Sequence, residues 1–228
     1  ETFDESIVNI SPDGKTIIST GCKDIRIWNP DGKLKNFISY QDSLRNPLIT
    51  FSRDGQSFLV SLSSSDKLKL YRSDGNLIRD FNIIGLGALS PNGNSVAFVK
   101  EEKIQLYSID ERILKSLEIV KESSKKCLES PRDIKFSDDG KIILVVGHST
   151  ICSVSVNGEF SRVFDLQNSK GRAAIKKASL SRNGKMLAIA SFDNTIALYD
   201  SKTGSLLQTL IGHTGPVDSI CLLYTSDA

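Results

Sequence analysis

Residues that could carry out catalysis or bind a metal are few and scattered in this sequence. It has two histidines, His148 and His213, whereas a metal site needs several converging ligands. No G-x-S-x-G elbow supports a serine nucleophile, and no G-x-x-x-x-G-K-[ST] or G-x-G-x-x-G loop supports phosphate binding. Acidic turns such as Asp138-Asp139-Gly140 lack the other ligands of a calcium loop. The sequence therefore predicts no catalytic residue, no metal site and no cofactor.

The four cysteines have no metal-binding or redox spacing. They are Cys22, Cys127, Cys152 and Cys221, and no pair has the C-x-x-C separation. We expect each to be a core or surface residue, because a thiol packs well as a small apolar side chain. Sparse cysteine without a pattern also favours a reducing compartment, so we expect a cytoplasmic protein.

Composition and charge exclude several classes of partner. Hydrophobic residues make up 39% and charged residues 25% of the 228 residues, which is ordinary for a globular protein. The formal net charge of +2 provides no general attraction to nucleic acid or to anionic membranes. No apolar run reaches the ~18 residues that cross a bilayer, and the N-terminus has no signal-peptide pattern. We expect no membrane or small-molecule partner, and we disfavour nucleic acid.

A five-residue turn motif recurs at regular intervals and divides the chain into repeat units. Its five copies are SPDGK, SRDGQ, SPNGN, SDDGK and SRNGK, and their glycines are separated by 41, 38, 47 and 44 residues. These intervals are near the ~40–45 residues of a four-stranded propeller blade. Glycine after Asp or Asn accepts a positive φ, which predicts a tight hairpin at each copy. The repeat glycines are Gly14, Gly55, Gly93, Gly140 and Gly184.

Short apolar strands surround each turn, and the third strand of each unit alternates cleanly, as in Leu68-Lys69-Leu70-Tyr71. A fixed period in turn chemistry and strand order favours a propeller over a sandwich of short strands. We predict an all-β propeller of four-stranded antiparallel blades, with the first strand of a sixth blade following the fifth. The blades span about residues 5–40, 46–82, 84–118, 131–165 and 173–210, and the next begins within 212–220.

These units resemble WD repeats over nearly all of residues 1–220. The aromatic residue ending the third strand stands where that family has its Trp-Asp pair; these residues are Trp28, Tyr71, Tyr107 and Tyr199. Asp200 follows Tyr199, Gly212-His213 matches the family's Gly-His, and Asp66 and Asp193 match the Asp of the turn before the third strand. The family's hydrogen-bonded network joins such a His, Asp, Ser or Thr and Trp. The repeats are degenerate, since the fourth has Val154 for the aromatic, and no complete network is assigned.

The resemblance implies a protein-interaction scaffold without catalysis of its own. Partners, proteins or peptides, would contact the turn residues Lys23, Asp24, Asp66, Glu102, His148, Asp193 and Asn194. An alternative is the sensing or docking propeller of a larger bacterial-type enzyme, a signalling NTPase or a peptidase, whose catalytic domain lies outside this sequence. IRIWNPDGKL resembles repeats of large bacterial proteins of that kind. A hydrolase or lyase with a central metal is disfavoured because histidine is so scarce.

Two basic clusters lie in the connections before the fourth and fifth units. They are Lys121, Lys125 and Lys126, and Lys170, Arg172, Lys176 and Lys177. We interpret both as solvated loop charge, since no aromatic residues are interleaved for base stacking.

The chain reads as a piece of a longer propeller, an incomplete ring that stops within a sixth unit. The last eight residues, CLLYTSDA at 221–228, match in frame the translation of a transposon-end sequencing adapter. We therefore expect the natural sequence to depart from this one after about Ile220.

Overall fold

The computed structural model describes residues 7–40, 47–61, 67–117, 125–158, 161–165, 174–181, 183–220 and 222. These residues form twenty β-strands and one short helix, and the strands group into five four-stranded sheets. In every sheet the strands pair in chain order, so each sheet is an antiparallel meander corresponding to one repeat unit. The all-β class with five four-stranded blades is thereby confirmed.

The strands follow the chain in sets of four, and we number the blades one to five. Blade one is β1 (Val8–Ile10), β2 (Ile17–Thr20), β3 (Asp24–Trp28) and β4 (Leu34–Ser39). Blade two is β5 (Leu48–Phe51), β6 (Ser57–Ser61), β7 (Lys67–Arg72) and β8 (Leu77–Ile84). Blade three is β9 (Gly87–Leu89), β10 (Ser95–Lys100), β11 (Lys103–Ser108) and β12 (Leu114–Leu117). Blade four is β13 (Asp133–Phe136), β14 (Ile142–Val146), β15 (Thr150–Ser155) and β16 (Ser161–Asp165). Blade five is β17 (Ile175–Leu180), β18 (Met186–Ser191), β19 (Thr195–Asp200) and β20 (Leu206–Ile211).

The chain divides into two compact units. The first comprises Glu1–Phe98 and Tyr107–Leu114, and the second comprises Val99–Leu106 and Lys115–Ala228. Blades one and two belong to the first unit, blades four and five to the second, and the strands of blade three are shared out between them.

The turn between the first and second strands has the same hydrogen bonds in every blade. In blade two the Ser52 hydroxyl donates to Asp54 Oδ1 at 2.6 Å and accepts from the backbone N–H of Ser57 at 3.0 Å. The same carboxylate oxygen accepts the Gln56 N–H at 3.0 Å. Corresponding bonds join the equivalent residues of the other four turns, with Asn in place of Asp in blades three and five. The serine therefore closes the hairpin as much as the glycine does.

These turns are longer than the two-residue hairpin that Asp-Gly predicts. The Ser52 N–H bonds to the Ser57 carbonyl and the Gly55 N–H to the Ser52 carbonyl, which leaves four residues in the loop. Only the glycine takes a positive φ, 68° at Gly55, and the equivalent glycines have φ between 65° and 76°. The reason is that Ser and Asp side chains satisfy backbone donors that a two-residue turn would pair across the strands.

Parts of the WD-type network are present in separate blades. In blade one the Trp28 indole N–H donates to Ser19 Oγ at 2.8 Å. In blade five the Ser191 hydroxyl donates to the Asp193 carboxylate. In each of these blades a serine forms the hydrogen bond. His213 is exposed and lies beyond β20.

Blades one, two and four each bury one face of their second and third strands against the next blade. Ile25 and Ile27 alternate onto one face of β3 and form a cluster with Ile49, Phe58 and Tyr71 of blade two. Phe58 stacks on Tyr71 with ring centroids 5.4 Å apart. Equivalent clusters join blade two to β9 and β10, and blade four to blade five. Removal of these apolar faces from water stabilises the blades as a stack.

The connection before blade four is wrongly predicted as an exposed loop throughout. Residues Lys125–Glu129 form a one-turn helix, α1, whose Cys127 and Leu128 are buried. Cys127 forms a disulfide with Cys152 of β15, 25 residues away, with the Cα atoms 6.2 Å apart. The sequence predicts core packing or surface exposure for each cysteine and does not predict this pairing, because spacing along the chain does not reveal which residues the fold brings together. No helix among the described residues is long and apolar enough to span a membrane.

Residues 212–220, the expected start of a sixth blade, form no strand. Val217 is nevertheless buried, and Asp218 forms an ion pair with Lys176 of β17. The predicted tail 221–228 lies, except for Leu222, outside the described residues.

Replacing Ser52 by Ala tests the turn. The variant loses the bonds to Asp54 and to the Ser57 N–H, so we expect the free energy of unfolding to fall by about 1–2 kcal/mol. Urea denaturation measures it. Ser73→Ala is the matched control, because this turn hydroxyl has no hydrogen bond among the described residues. Equal losses in the two variants would contradict the role of Ser52.

The acid sensitivity of the same turn is a second prediction. The Ser52 hydroxyl, and then the Gln56 N–H, hold the pKa of Asp54 below its ordinary value of 3.8. A lowered pKa in the folded state means that the carboxylate stabilises the fold above pH 3.8, and that this contribution is lost as the pH falls through the folded-state pKa. Asp54→Asn, which mimics Asn92 and Asn183, should be the less stable protein at pH 7. We expect this difference to shrink in urea titrations as the pH is lowered from 7 to 3; a constant difference over this range would refute it.

Candidate protein-interaction surface

The predicted contact residues that the structure describes lie in or next to one kind of turn, that between the second and third strands of a blade. Lys23 precedes β3 and Asp24 begins it, Glu102 precedes β11, and His148 precedes β15. Asp193 and Asn194 precede β19, while Asp66 lies outside the described residues. In an antiparallel meander this end is opposite to the Ser–Asp/Asn–Gly turns, and it is the end where the first strands begin.

In the first unit the turn of blade one is held by its backbone. The Gly21 N–H bonds to the Asp24 carbonyl at 2.8 Å, and the Tyr40 N–H bonds to the Lys23 carbonyl at 2.8 Å. The Asp24 carboxylate forms an ion pair with Arg26 at 3.0 Å. Lys23 is exposed on this fixed backbone.

In the second unit the structure brings the His148 turn and the Asp193 turn together. The Ile175 N–H bonds to the His148 carbonyl at 2.8 Å, and the Phe192 N–H bonds to the Ala174 carbonyl at 3.0 Å. Two consecutive residues at the start of β17 therefore join a turn of blade four to a turn of blade five. The His148 side chain is exposed at this junction.

The Asp193 carboxylate organises the blade-five turn. It accepts hydrogen bonds from Ser191, from the Thr195 N–H at 3.0 Å and from Thr195 Oγ1 at 2.7 Å. Burial acts to raise the pKa of Asp193, but these bonds outweigh it and hold the pKa below its ordinary value. Asn194 completes the turn with a φ of 69°, a left-handed conformation that Asn tolerates. Burial raises the pKa of Tyr199, which ends the strand after this turn.

An exposed aromatic residue lies beside the same turn. Phe192 is 46% exposed, and Lys176 Nζ lies 4.9 Å from the centroid of its ring. Lys176 also forms the ion pair with Asp218. The contacts of Lys176 with an aromatic face and a carboxylate hold this side chain against the fold.

A buried carboxylate on the innermost strand of blade four holds two further lysines. Asp133 Oδ2 lies 3.0 Å from Lys135 Nζ and 3.4 Å from Lys177 Nζ, and its side chain is only 5% exposed. Burial of a charge is tolerated when it is paired in this way. The two lysines are 31% and 41% exposed, and within this group of three side chains one positive charge is in excess.

The sequence prediction includes some of these surface residues. It names Lys176 and Lys177, but as solvated charge, whereas Lys170 and Arg172 lie outside the described residues. It does not name Phe192, Asp133 or Lys135. Alternation places Asp133 and Lys135 on one face of β13, which is a detectable signal, but their pairing with Lys177 depends on the packing of blade five against blade four. Of the other cluster, Lys121 is not described.

Among the described residues no group of three or more His, Cys, Asp or Glu side chains could hold a metal ion. The described surface consists instead of exposed aromatic, basic and amide groups on hydrogen-bonded turns. Such a set can bind another macromolecule by contact and charge.

Comparison with known proteins agrees with the blades. Residues 155–226 match the model of the anaphase-promoting complex subunit 4 WD40 domain. Over 79 residues the chain is 32% identical to minichromosome loss protein 1 of Schizosaccharomyces pombe (strain 972 / ATCC 24843). The five four-stranded blades are similar to WD40 repeats. The second match covers 35% of this chain and 9% of the yeast protein, so it compares repeats and not whole proteins. WD40 repeats generally act as non-catalytic modules for protein interaction.

Proposed function

We propose that these WD40 repeats form a protein-interaction scaffold and that the turns between second and third strands contact the partner. The observation that carries the proposal is the junction of the His148 and Phe192–Asn194 turns. There Phe192 is 46% exposed, although its backbone N–H is held by the Ala174 carbonyl. Exposed aromatic residues on a rigid backbone are typical of protein contacts, since little conformational entropy is lost on binding.

The differences among the turns support this assignment. The Ser–Asp/Asn–Gly turns at one end of the blades are nearly identical in all five units, as expected for residues that maintain the fold. The turns at the other end differ in every blade, with Lys23, Glu102, His148 and Asn194 among their residues. Variable side chains on a constant framework provide specificity for a particular partner.

The comparisons agree with a partner that is a protein. The matched WD40 model is named for a subunit of a multiprotein complex, and we extend that kind of role to this chain. We propose protein or peptide partners, with no catalysis, nucleic acid or small-molecule substrate. The open reading frame of the full gene tests this: a phosphate-binding loop or catalytic triad beside the blades would instead favour a docking domain of an enzyme.

Variants of the turns test the contact surface. Lys23→Glu with His148→Ala alters two exposed side chains, and neither forms a hydrogen bond through its side chain among the described residues. We expect partner affinity to fall at least about tenfold at an unchanged unfolding midpoint, because interface residues act on binding rather than on folding. Lys141→Glu, at the opposite end of blade four, is the control and should bind normally. Calorimetry with a purified partner measures both; equal affinities for all three proteins would contradict the proposal.

We also propose a cytoplasmic location, and the Cys127–Cys152 disulfide makes this testable. Disulfides rarely persist in a reducing cytosol, so a cytoplasmic protein should contain these cysteines as thiols. Cells are treated with N-ethylmaleimide before lysis, the protein is denatured, and alkylation is located by peptide mass spectrometry. The reagent stays present during denaturation so that buried thiols also react, and we expect both cysteines to be alkylated. Recovery of the linked peptides from cells would contradict the cytoplasmic location.

A further inference from the structure

A cavity of about 550 Å³ lies between blade four and blade five of the second unit. Its deep end is lined by Leu144, Ser153, Phe164 and Leu187, all of them buried. Its mouth is formed by Gly184 and Lys185 of one turn and by Asp200, Ser201 and Lys202 of another. The volume is within the range of about 300–1,000 Å³ typical of ligand pockets.

The cavity occurs where one blade departs from the repeat. Pairing with the second strand places Ile27, Leu70, Ser153 and Leu198 at the same position of blades one, two, four and five. Ile27 and Leu70 fill the clusters that join their blades to the next. Blade four has a serine there, on the same strand face as Ile151, which packs against blade five. The space between these two blades is therefore missing most of one aliphatic side chain.

The serine also introduces a hydroxyl without a partner. Ser153 is 3% exposed, and its Oγ has no hydrogen bond among the described residues. A buried hydroxyl without a partner costs free energy that the aliphatic residue of the other blades would not. A ligand group that forms a hydrogen bond with it would recover this cost.

The mouth is rigid and carries an excess of positive charge. The Ser201 N–H bonds to the Lys185 carbonyl at 2.9 Å, and the Ser201 hydroxyl bonds to the Gly184 carbonyl. Lys185 and Lys202 are exposed. The Asp200 carboxylate accepts bonds from the Lys202 N–H at 3.0 Å and from the Thr203 hydroxyl at 2.8 Å, so it is held within its own turn.

We propose that this cavity binds a tyrosine side chain of a protein partner, from a segment in which acidic residues flank the tyrosine. The apolar walls suit the ring, the Ser153 hydroxyl suits the phenol at its end, and Lys185 and Lys202 suit the flanking carboxylates. The inference rests on the proposed interaction role and adds a second contact site, at the opposite end of the blades from the turns described above.

A set of labelled peptides and Ser153 variants tests the deep end. The probes are fluorescein-Asp-Glu-Tyr-Asp-Glu and the same peptide with Phe in place of Tyr, measured by fluorescence polarisation against the full chain. We expect the Tyr peptide to bind about three- to tenfold tighter than the Phe peptide, the value of one hydrogen bond. In Ser153→Ala this preference should disappear without loss of stability, since the hydroxyl has no partner in the free protein.

Ser153→Leu restores the residue type of the other blades. We expect it to abolish binding of both peptides and to raise the unfolding midpoint by a few degrees, because its side chain occupies the part of the cavity beside position 153 where the ring would bind. A variant that binds less while folding better cannot be explained by unfolding. If the leucine overpacks the site, the Tyr-to-Phe preference in wild type and Ser153→Ala still decides the question.

Charge reversal tests the mouth. Lys185→Glu with Lys202→Glu should weaken the Tyr peptide at least about tenfold, because like charges then face each other. Lys141→Glu changes the equivalent turn residue of blade four, whose carbonyl likewise accepts the N–H of Val156 at 2.9 Å. This control should leave binding unchanged.

Two results would overturn the proposal: no binding of the Tyr peptide to the wild-type chain, or equal binding to wild type and Ser153→Leu. Neither result would refute the scaffold role, provided that the Lys23→Glu with His148→Ala variant still has a lower affinity for a purified partner. Loss of that effect, with peptide binding intact, would refute the turn surface and leave the tyrosine site standing.

Discussion

The hydrogen bond that a turn serine accepts across its own hairpin controls the register of every blade. In blade two Ser52 Oγ accepts the Ser57 N–H, which aligns Phe51 with Phe58 and Leu48 with Ser61. Since side chains alternate along a strand, a slip of one residue would turn the apolar set away from the neighbouring blade. The packing of one blade on the next therefore depends on a polar contact in the turn that joins two strands.

Neighbouring blades then stabilise one another through the third strand. Ile25 and Ile27 of blade one, and Leu68 and Leu70 of blade two, face the next blade along. Where blade four has Ser153, this residue lines a cavity, and its hydroxyl has no hydrogen-bond partner in the part of the chain that the structure describes. A repeat that contacts only its neighbours can accept such a departure in one blade, because the other interfaces are unaffected.

The two ends of the blades differ in how far the sequence can vary. Turns of the Ser–Asp/Asn–Gly kind must form a set pattern of hydrogen bonds, and they are nearly the same five times. The turns at the other end must only connect two strands, so residues as different as Lys23 and His148 occur there. The freedom of these turns explains how a constant framework can acquire a particular partner.

Much of this protein was predictable from local patterns. Turn glycines at a regular interval and period-two strands determined the blades, because short-range geometry selects the hairpins and their order. The His148 and Asp193 turns were predictable by repeat position. The pairing of Asp133 with Lys177, the exposure of Phe192 beside Lys176 and the four-residue form of the hairpin were not, since each depends on three-dimensional contacts.

The sequence by itself determined the all-β class, the five units and the turn residues, because these follow from chain periodicity and from the conformations that Gly, Asp and Asn allow. Only the tertiary structure decided which side chains meet across blades. In the tertiary structure Cys127 is bonded to Cys152, a segment predicted as a loop contains a one-turn helix, and a cavity is lined by Ser153. The physical reason is that such contacts join residues far apart in the chain, so no local pattern records them.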